Sequence, residues 1–381
     1  MPPIYLDHHA TTPCDPDVVQ TMLPWFTERA GNASSRGHRF GVAAREATER
    51  GRAAVAARVG CSPKEVVFTS GATEADNLAI LGVARAARAR GKRHVITIAT
   101  EHRAVLDPIA ALTREGFEAT VLPVDGRGRV DPDDLRRALR ADTALVSAML
   151  VNNEIGVVHP IEAFGAICRE GSVPLHCDAA QAGSIPLPWE SVQLMSLSAH
   201  KVYGPQGVGA LCVRRRPRVD LQPLVHGGGH ERGLRSGTLP VPLIVGFGRA
   251  LGLLSDEEGR RLAGLRDRLW RGLSERIEGV SLNGPPLEER APQNLHVSFD
   301  GIEAEALLMS VRDELALSTG SACSSETLEP SHVLRALDLP RERAHASVRF
   351  GLGRSNDEAQ IDLAVELLAD RVATLRRMMV H

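Results

Sequence analysis

Between residues 65 and 178 the chain alternates short apolar runs with stretches in which apolar residues recur every three or four positions. Residues 65–69 form a β-rich run. Gly71-Ala72-Thr73-Glu74 then opens a helical pattern through Leu78, Ile80, Leu81 and Val83. Residues 94–99 predict a second strand, followed by a helix over about 104–115. The alternation repeats at 119–124 and 133–140, and apolar runs ending in polar residues follow at 143–150 and 173–177. Strands that are apolar along their length and separated by helices predict a mostly parallel sheet covered on both faces. Ligands of such sheets collect beyond the carboxyl ends of the strands, which directs attention to the polar residues just past those ends.

From about residue 255 the texture changes. An amphipathic stretch over 255–277 leads to the turn Asn283-Gly-Pro-Pro286. A strand at 294–299, a helix at 303–313, a Ser/Gly/Ala-rich loop, a helix starting at Pro330, a strand at 346–350 and a last helix from Asp357 follow. At 381 residues the chain is too long for one small core. The expected architecture is α/β: a large domain over 15–254 with helices on both faces of its sheet, and a smaller α/β domain from 1–14 and 255–381 that carries a loop at about 318–329.

Composition narrows the function classes. Hydrophobic content of 43% and charged content of 24% are those of a soluble globular protein. A net charge of -2 gives no global basic field for nucleic acid or an anionic membrane, and Arg214-Arg215-Arg216-Pro217-Arg218 reads as a solvated loop after a strand. No segment approaches the roughly 20 apolar residues that span a bilayer. Six cysteines without a C-x-x-C pair argue against zinc or a redox dithiol, so no metal site is expected. Free thiols in a chain whose start lacks a signal pattern predict the cytoplasm.

Only three of the 45 basic residues are lysines: Lys64, Lys92 and Lys201. Lys201 lies in the apolar, glycine-bounded Ser198-Ala-His-Lys-Val-Tyr-Gly-Pro-Gln-Gly-Val-Gly-Ala210. Arginine serves the surface of this chain, so a lysine retained there is either a leftover charge by a turn or an amine needed for a Schiff base with an aldehyde cofactor. Other strand ends carry paired readings. Thr69-Ser-Gly-Ala-Thr-Glu74 suits an anion at a helix N-terminus, or simply a cap by Thr73 or Ser70. His102 is a catalyst or a satisfied polar group. Asn152 and Asn153 sit in a turn or in a site. Asp178, after an apolar strand, needs a cation: an arginine, or the protonated ring nitrogen of pyridoxal phosphate.

Taken together, these residues resemble the cysteine desulfurases of the fold-type I pyridoxal phosphate enzymes (the class V aminotransferase group). The resemblance runs from Tyr5-Leu-Asp-His-His-Ala-Thr-Thr-Pro13 to Gly353-Arg354 and includes His226-Gly-Gly-Gly-His-Glu-Arg-Gly-Leu-Arg-Ser-Gly-Thr238. It implies that Lys201 anchors the cofactor, Asp178 pairs with the ring nitrogen, and Gln181 bonds the ring hydroxyl. His102 would stack on the ring and move protons. Ala72 and Thr73 at the helix start, with Ser198 and His200, would hold the phosphate. Thr238 would reach the phosphate of a neighbouring subunit, implying a homodimer. Asn153 and Arg354 would bind the substrate carboxylate, a task that suits the planar arginine fork.

Ser318-Thr-Gly-Ser-Ala-Cys-Ser-Ser-Glu-Thr-Leu-Glu-Pro330 surrounds Cys323 with small polar residues. A structural cysteine prefers apolar neighbours, so Cys323 is expected to be exposed, mobile and reactive. The stretch resembles the long catalytic loop of one desulfurase subgroup. The implied reaction takes sulfur from L-cysteine, releases L-alanine and leaves a persulfide on Cys323. An acceptor protein would collect the sulfur for iron–sulfur assembly, tRNA thiolation, cofactor synthesis or DNA modification. A selenocysteine lyase is the alternative enzyme. A non-catalytic sulfur carrier fits poorly, because Lys201, Asp178 and His102 are all present. The chain stops soon after its last helix, where longer relatives carry an extension for an iron–sulfur scaffold.

Overall fold

The computed structural model describes residues 3–320 and 329–379. The expectations placed on Cys323 and on most of its loop therefore lie outside the described residues. The large sheet has seven strands in the order Val66–Thr69, Gly209–Val213, Leu194–Ser198, Leu175–Asp178, Thr143–Met149, His94–Ile98, Glu118–Leu122. Only Gly209–Val213 runs against its neighbours. The others are parallel, which brings their carboxyl ends to one edge.

Alternation along the strands divides the core between two faces. On one face Val67, Val95, Leu145, Leu194 and Leu211 pack against the helices Ala72–Arg88 and Arg103–Arg114. On the other, Phe68, Ile96, Val146, Leu175 and Met195 meet Val55 and Val59 of Arg39–Val59, Phe164 of Ile161–Glu170 and Phe247 of Val241–Leu251. A separate core forms around the antiparallel strands Ser347–Gly351, Asn294–Phe299 and Val280–Leu282. It is covered by Asp256–Arg276, Ala304–Val311 and Glu358–Met379, each of which contributes buried leucine or valine except where the last helix adds Ile361 and Ala364 as well. The short helix expected from Pro330 runs over His332–Ala336. Its start is set by Ser331, whose hydroxyl accepts the Val333 amide at 3.1 Å.

The chain start links the two cores. Ile4–Tyr5 pairs with Leu315–Ala316, and Leu6 is buried in the smaller core. Residues beyond it cross to the large sheet, where the Thr12 amide donates to His200 O at 2.9 Å and the Asp15 amide to Tyr203 O at 2.9 Å. The segment 226–238 is anchored from below. Glu231 accepts both Arg52 Nη atoms at 2.8 and 2.7 Å and the Phe68 amide at 2.8 Å, with side chains 6% and 2% exposed for Arg52 and Glu231.

Removing one partner of such a buried pair strands the other's charge. Glu231→Ala is therefore expected to lower the unfolding free energy by about 3–5 kcal/mol, read from urea denaturation.

Candidate active site

Lys201 closes the single turn Ala199–Lys201 immediately after strand Leu194–Ser198. Its Nζ donates to His9 O and, at 2.9 Å, to Ala10 O. The chain start thus lies directly against the lysine. Asp178 ends the adjacent strand and is 6% exposed; one carboxylate oxygen accepts the Ala180 amide at 2.9 Å. Gln181, three residues on, meets His9 twice. Its Oε1 lies 3.1 Å from His9 Nδ1, and its Nε2 donates to His9 O at 2.9 Å.

Three carboxyl groups are buried on this face: Asp76, Glu101 and Asp178. Burial raises the pKa of each. Asp178 raises Asp76 and Glu101 further, whereas Asp178 itself is drawn back down by the Ala180 amide, His102 and Lys201. Of the three, Asp178 is the one whose charged form is favoured by a backbone amide together with His102 and Lys201. Below it His176 bridges Ser147 Oγ and Ser196 Oγ, both at 2.9 Å, and lies 3.5 Å from Asp76 Oδ1. Burial pushes the His176 pKa to about 3, so that pair is neutral.

His102 caps the helix Arg103–Arg114: its Nδ1 accepts the Ala104 amide at 3.1 Å. The neutral ring then carries its proton on Nε2. Burial lowers its pKa, Asp178 opposes this, and Lys201 adds to the lowering. As held, His102 is a proton donor at Nε2.

At the opposite edge the helix Ala72–Arg88 begins without a side-chain cap, at Gly71 with φ 153° and ψ -177°. A non-glycine residue is strained in that conformation. Ser198 Oγ is buried beside it and has no hydrogen-bond partner among the described residues. A Cβ on Gly71 would stand 3.9 Å from that hydroxyl. Uncapped amides and an unpaired buried hydroxyl form a cradle for an anion. His200 lies nearby, its Nδ1 3.1 Å from Thr11 Oγ1; burial, then Lys201, depresses its pKa to about 4. Thr73 is exposed on the first turn, Ala72 is half-buried, and Thr238 is exposed in the 226–238 segment.

Arg354 is used elsewhere. Its fork meets Glu258 at 3.1 and 2.9 Å and Asp15, and its guanidinium stacks 4.0 Å from the centroid of the Tyr203 ring. Two carboxylates and a ring leave it no edge for a substrate, which corrects the expectation from Gly353-Arg354. Arg349 is a second arginine, closer to Asn153. It is 2% exposed in strand Ser347–Gly351, donates to Asn153 O at 2.9 Å and to Asp7 Oδ1 at 2.8 Å, and its Nε has no partner among the described residues. The sequence held a signal for it: a charge inside the apolar run Val348-Arg349-Phe350. Neither His9 nor Asn294 stood out, because their roles come from contacts across the fold.

A strand-end lysine, a buried carboxylate and an anion cradle on an α/β sheet define the class of enzymes that use pyridoxal phosphate. Residues 4–364 match the aminotransferase class-V family, and the chain belongs to that family. It is 54% identical to the cysteine desulfurase IscS of Anaeromyxobacter dehalogenans over 99% of this chain and 94% of that one. Among solved structures, a NifS-like protein superposes with a TM-score of 0.91 at 35% identity, over 98% of this chain and 100% of that one. SspA in complex with cysteine superposes with a TM-score of 0.82 at 34% identity, over 92% and 98%. The cofactor of this chain is pyridoxal phosphate. The unpaired Ser198 hydroxyl and the buried Asp178 carboxyl fit its two ends.

Gly209 supports the cradle from behind. A Cβ there would lie 2.4 Å from Leu197 O and 2.7 Å from Gly71 Cα, forcing the two apart. Gly209→Ala is expected to weaken cofactor retention about tenfold or more, measured by titrating apoprotein with pyridoxal phosphate.

Proposed function

We propose that the chain is a cysteine desulfurase that converts L-cysteine to L-alanine and holds the sulfur as a persulfide on Cys323 for delivery to an acceptor protein. The observation that carries this reading is the meeting of Lys201, Asp178, Gln181, His102 and the Ser198 cradle at one sheet edge, with Arg349 beside them on a strand of the smaller core.

Pyridoxal phosphate, when bound, supplies an electron sink for charge developing at the substrate Cα. Lys201 would be the amine that anchors it and the base for the substrate Cα. Asp178, buried at its strand end, would pair with the protonated ring nitrogen. Gln181 would offer an amide N–H to the ring oxygen. The amides at Ala72 and Thr73, the Ser198 hydroxyl and His200 hold the phosphate. Arg349, with Asn153 next to it, takes the substrate carboxylate, and the open Nε together with an Nη gives the paired donors that a carboxylate matches. His102 protonates the leaving side from Nε2. The Cys323 thiolate attacks the substrate sulfur: one S–S bond forms, the Cβ–S bond breaks, and Cβ takes a proton to become the methyl of alanine.

Thr238, exposed on the anchored 226–238 segment, reaches a second copy's cofactor in a homodimer; exposed Phe26 and Phe40 supply apolar surface for it. The five described cysteines are all free, as suits the cytoplasm, and no helix among the described residues is long and apolar enough to cross a membrane.

The reading is tested by Cys323→Ser. This variant should bind pyridoxal phosphate like the parent, yet form no protein persulfide and release no alanine catalytically. Normal turnover would overturn it.

The two arginines are separable by kinetics. Arg349→Lys is expected to lower kcat/KM for L-cysteine about 10- to 100-fold, mainly through KM, because lysine loses the fork. Arg354→Lys should leave KM within about threefold.

A further inference from the structure

We infer that His9 is a positioning residue, whose ring and backbone carbonyl together fix the orientation of the Gln181 amide and thereby set the protonation equilibrium of the bound cofactor. The inference rests on the reading above that Gln181 donates to the cofactor's ring oxygen.

Two backbone carbonyls determine the direction of every hydrogen bond in the chain of side chains that leads there, because a carbonyl can only accept. Glu154 O lies 2.8 Å from one end of the Asn294 amide, so that end is Nδ2. The same Nδ2 lies 3.1 Å from His9 Nε2, so Nε2 is the bare, accepting nitrogen. A neutral His9 then carries its proton on Nδ1, 3.1 Å from Gln181 Oε1. His9 O lies 2.9 Å from the other end of the Gln181 amide, which must be Nε2. One edge of the amide, its oxygen and one N–H, is thus seated on His9. The second N–H on Nε2 is not used by His9, and the amide cannot turn to offer an oxygen in its place without two oxygens facing each other.

The arrangement is protected from both sides. His9 is 2% exposed, and burial, with Arg349, Lys201 and His8 facing it, pushes its pKa to about 3 despite the Gln181 bond. The ring therefore stays neutral and keeps its single tautomer over the working range of pH. Asn294 is held by Gly156, at φ 72°, where a Cβ would stand 2.4 Å from Asn294 Oδ1. Arg290 Nη1 reaches that Oδ1 at 3.4 Å, which agrees with the same amide orientation.

The consequence is chemical. A donor on the ring oxygen stabilises its negative charge, and so favours loss of the proton shared between that oxygen and the Lys201 nitrogen. Releasing the Gln181 amide removes that preference and raises the pH at which the visible band of the holoenzyme titrates.

His9→Asn and His9→Gln separate the two ring nitrogens. Asparagine places an amide N–H where Nδ1 stood; glutamine reaches the Nε2 position and offers nothing to Gln181. With one hydrogen bond at stake, the band midpoint of the His9→Gln holoenzyme should rise by about 0.5–1 pH unit, while His9→Asn stays within about 0.3 unit of the parent. Asn294→Asp reads the same link without altering His9 itself. An acceptor opposite Nε2 draws the proton there and leaves Nδ1 bare against Oε1, so the midpoint should move upward too. Circular dichroism and cofactor content identify the folded holoproteins compared. Gln181→Ala should raise the midpoint at least as far as His9→Gln. Midpoints of His9→Gln and Asn294→Asp that both match the parent while that of Gln181→Ala rises would overturn the role of His9 alone; a Gln181→Ala midpoint that also matches would overturn the ring-oxygen reading beneath it.

Discussion

A carboxyl group buried at the end of a strand is the constraint that the rest of the site answers. Asp178 is 6% exposed, and one of its oxygens accepts the Ala180 amide. Desolvation alone would neutralise it. The surroundings counter this through the Ala180 amide, His102 and Lys201, each of which favours its charged form, while Asp178 in turn raises Asp76 and Glu101. The parallel topology is what makes this possible. Neighbouring strands deliver Asp178, Ser198 and the residue pair Met149–Leu150 to one edge, while their apolar side chains are spent on the two covered faces.

The short segment after Leu6 converts that edge into a defined site. Leu6 is fixed in the smaller core, the Gly351 amide donates to Leu6 O at 2.7 Å, and Thr12 is fixed to the turn bearing Lys201. Between those anchors the chain has little freedom. Asp7 holds Arg349, and His9 holds Gln181 and meets Lys201. Arg349 is therefore located relative to Lys201 by a few covalent bonds and buried contacts. Fixed distances of this kind are how a protein lowers the entropic cost of bringing reacting groups together.

Much of this was legible in the sequence, and the limits were physical. Lys201, Asp178, His102 and the helix start at Thr73 all follow apolar runs that end abruptly, so their positions at strand ends could be read from local pattern. The helix Arg39–Val59 was not read, because its alanines, glycines and arginines give little contrast between faces. Arg354 stands beside glycines in a recognisable motif, and the sequence reading went to it without considering Arg349. Pairing is what local pattern does not carry: Asp15 and Glu258 fill the fork of Arg354, and both lie far from it in sequence. His9 and Asn294 are 285 positions apart and share a hydrogen bond that no local pattern could announce.

The unequal use of arginine and lysine in this chain follows from the same physics. Where a buried positive charge must be permanent, at Arg52 under Glu231 or at Arg349 beside Asp7, the chain uses guanidinium, which stays protonated and is more weakly hydrated than an ammonium. Lys64 is exposed, and Lys92 reaches Ala141 O from a half-buried site. Lys201 alone of the three stands at the carboxyl edge of the sheet, within hydrogen-bond reach of the His9 and Ala10 carbonyls. An amine in that setting can give up its proton, bond to carbon, and be released again. A guanidinium there could do none of these, so the position that looked anomalous in composition is the one where a permanent charge would have been useless.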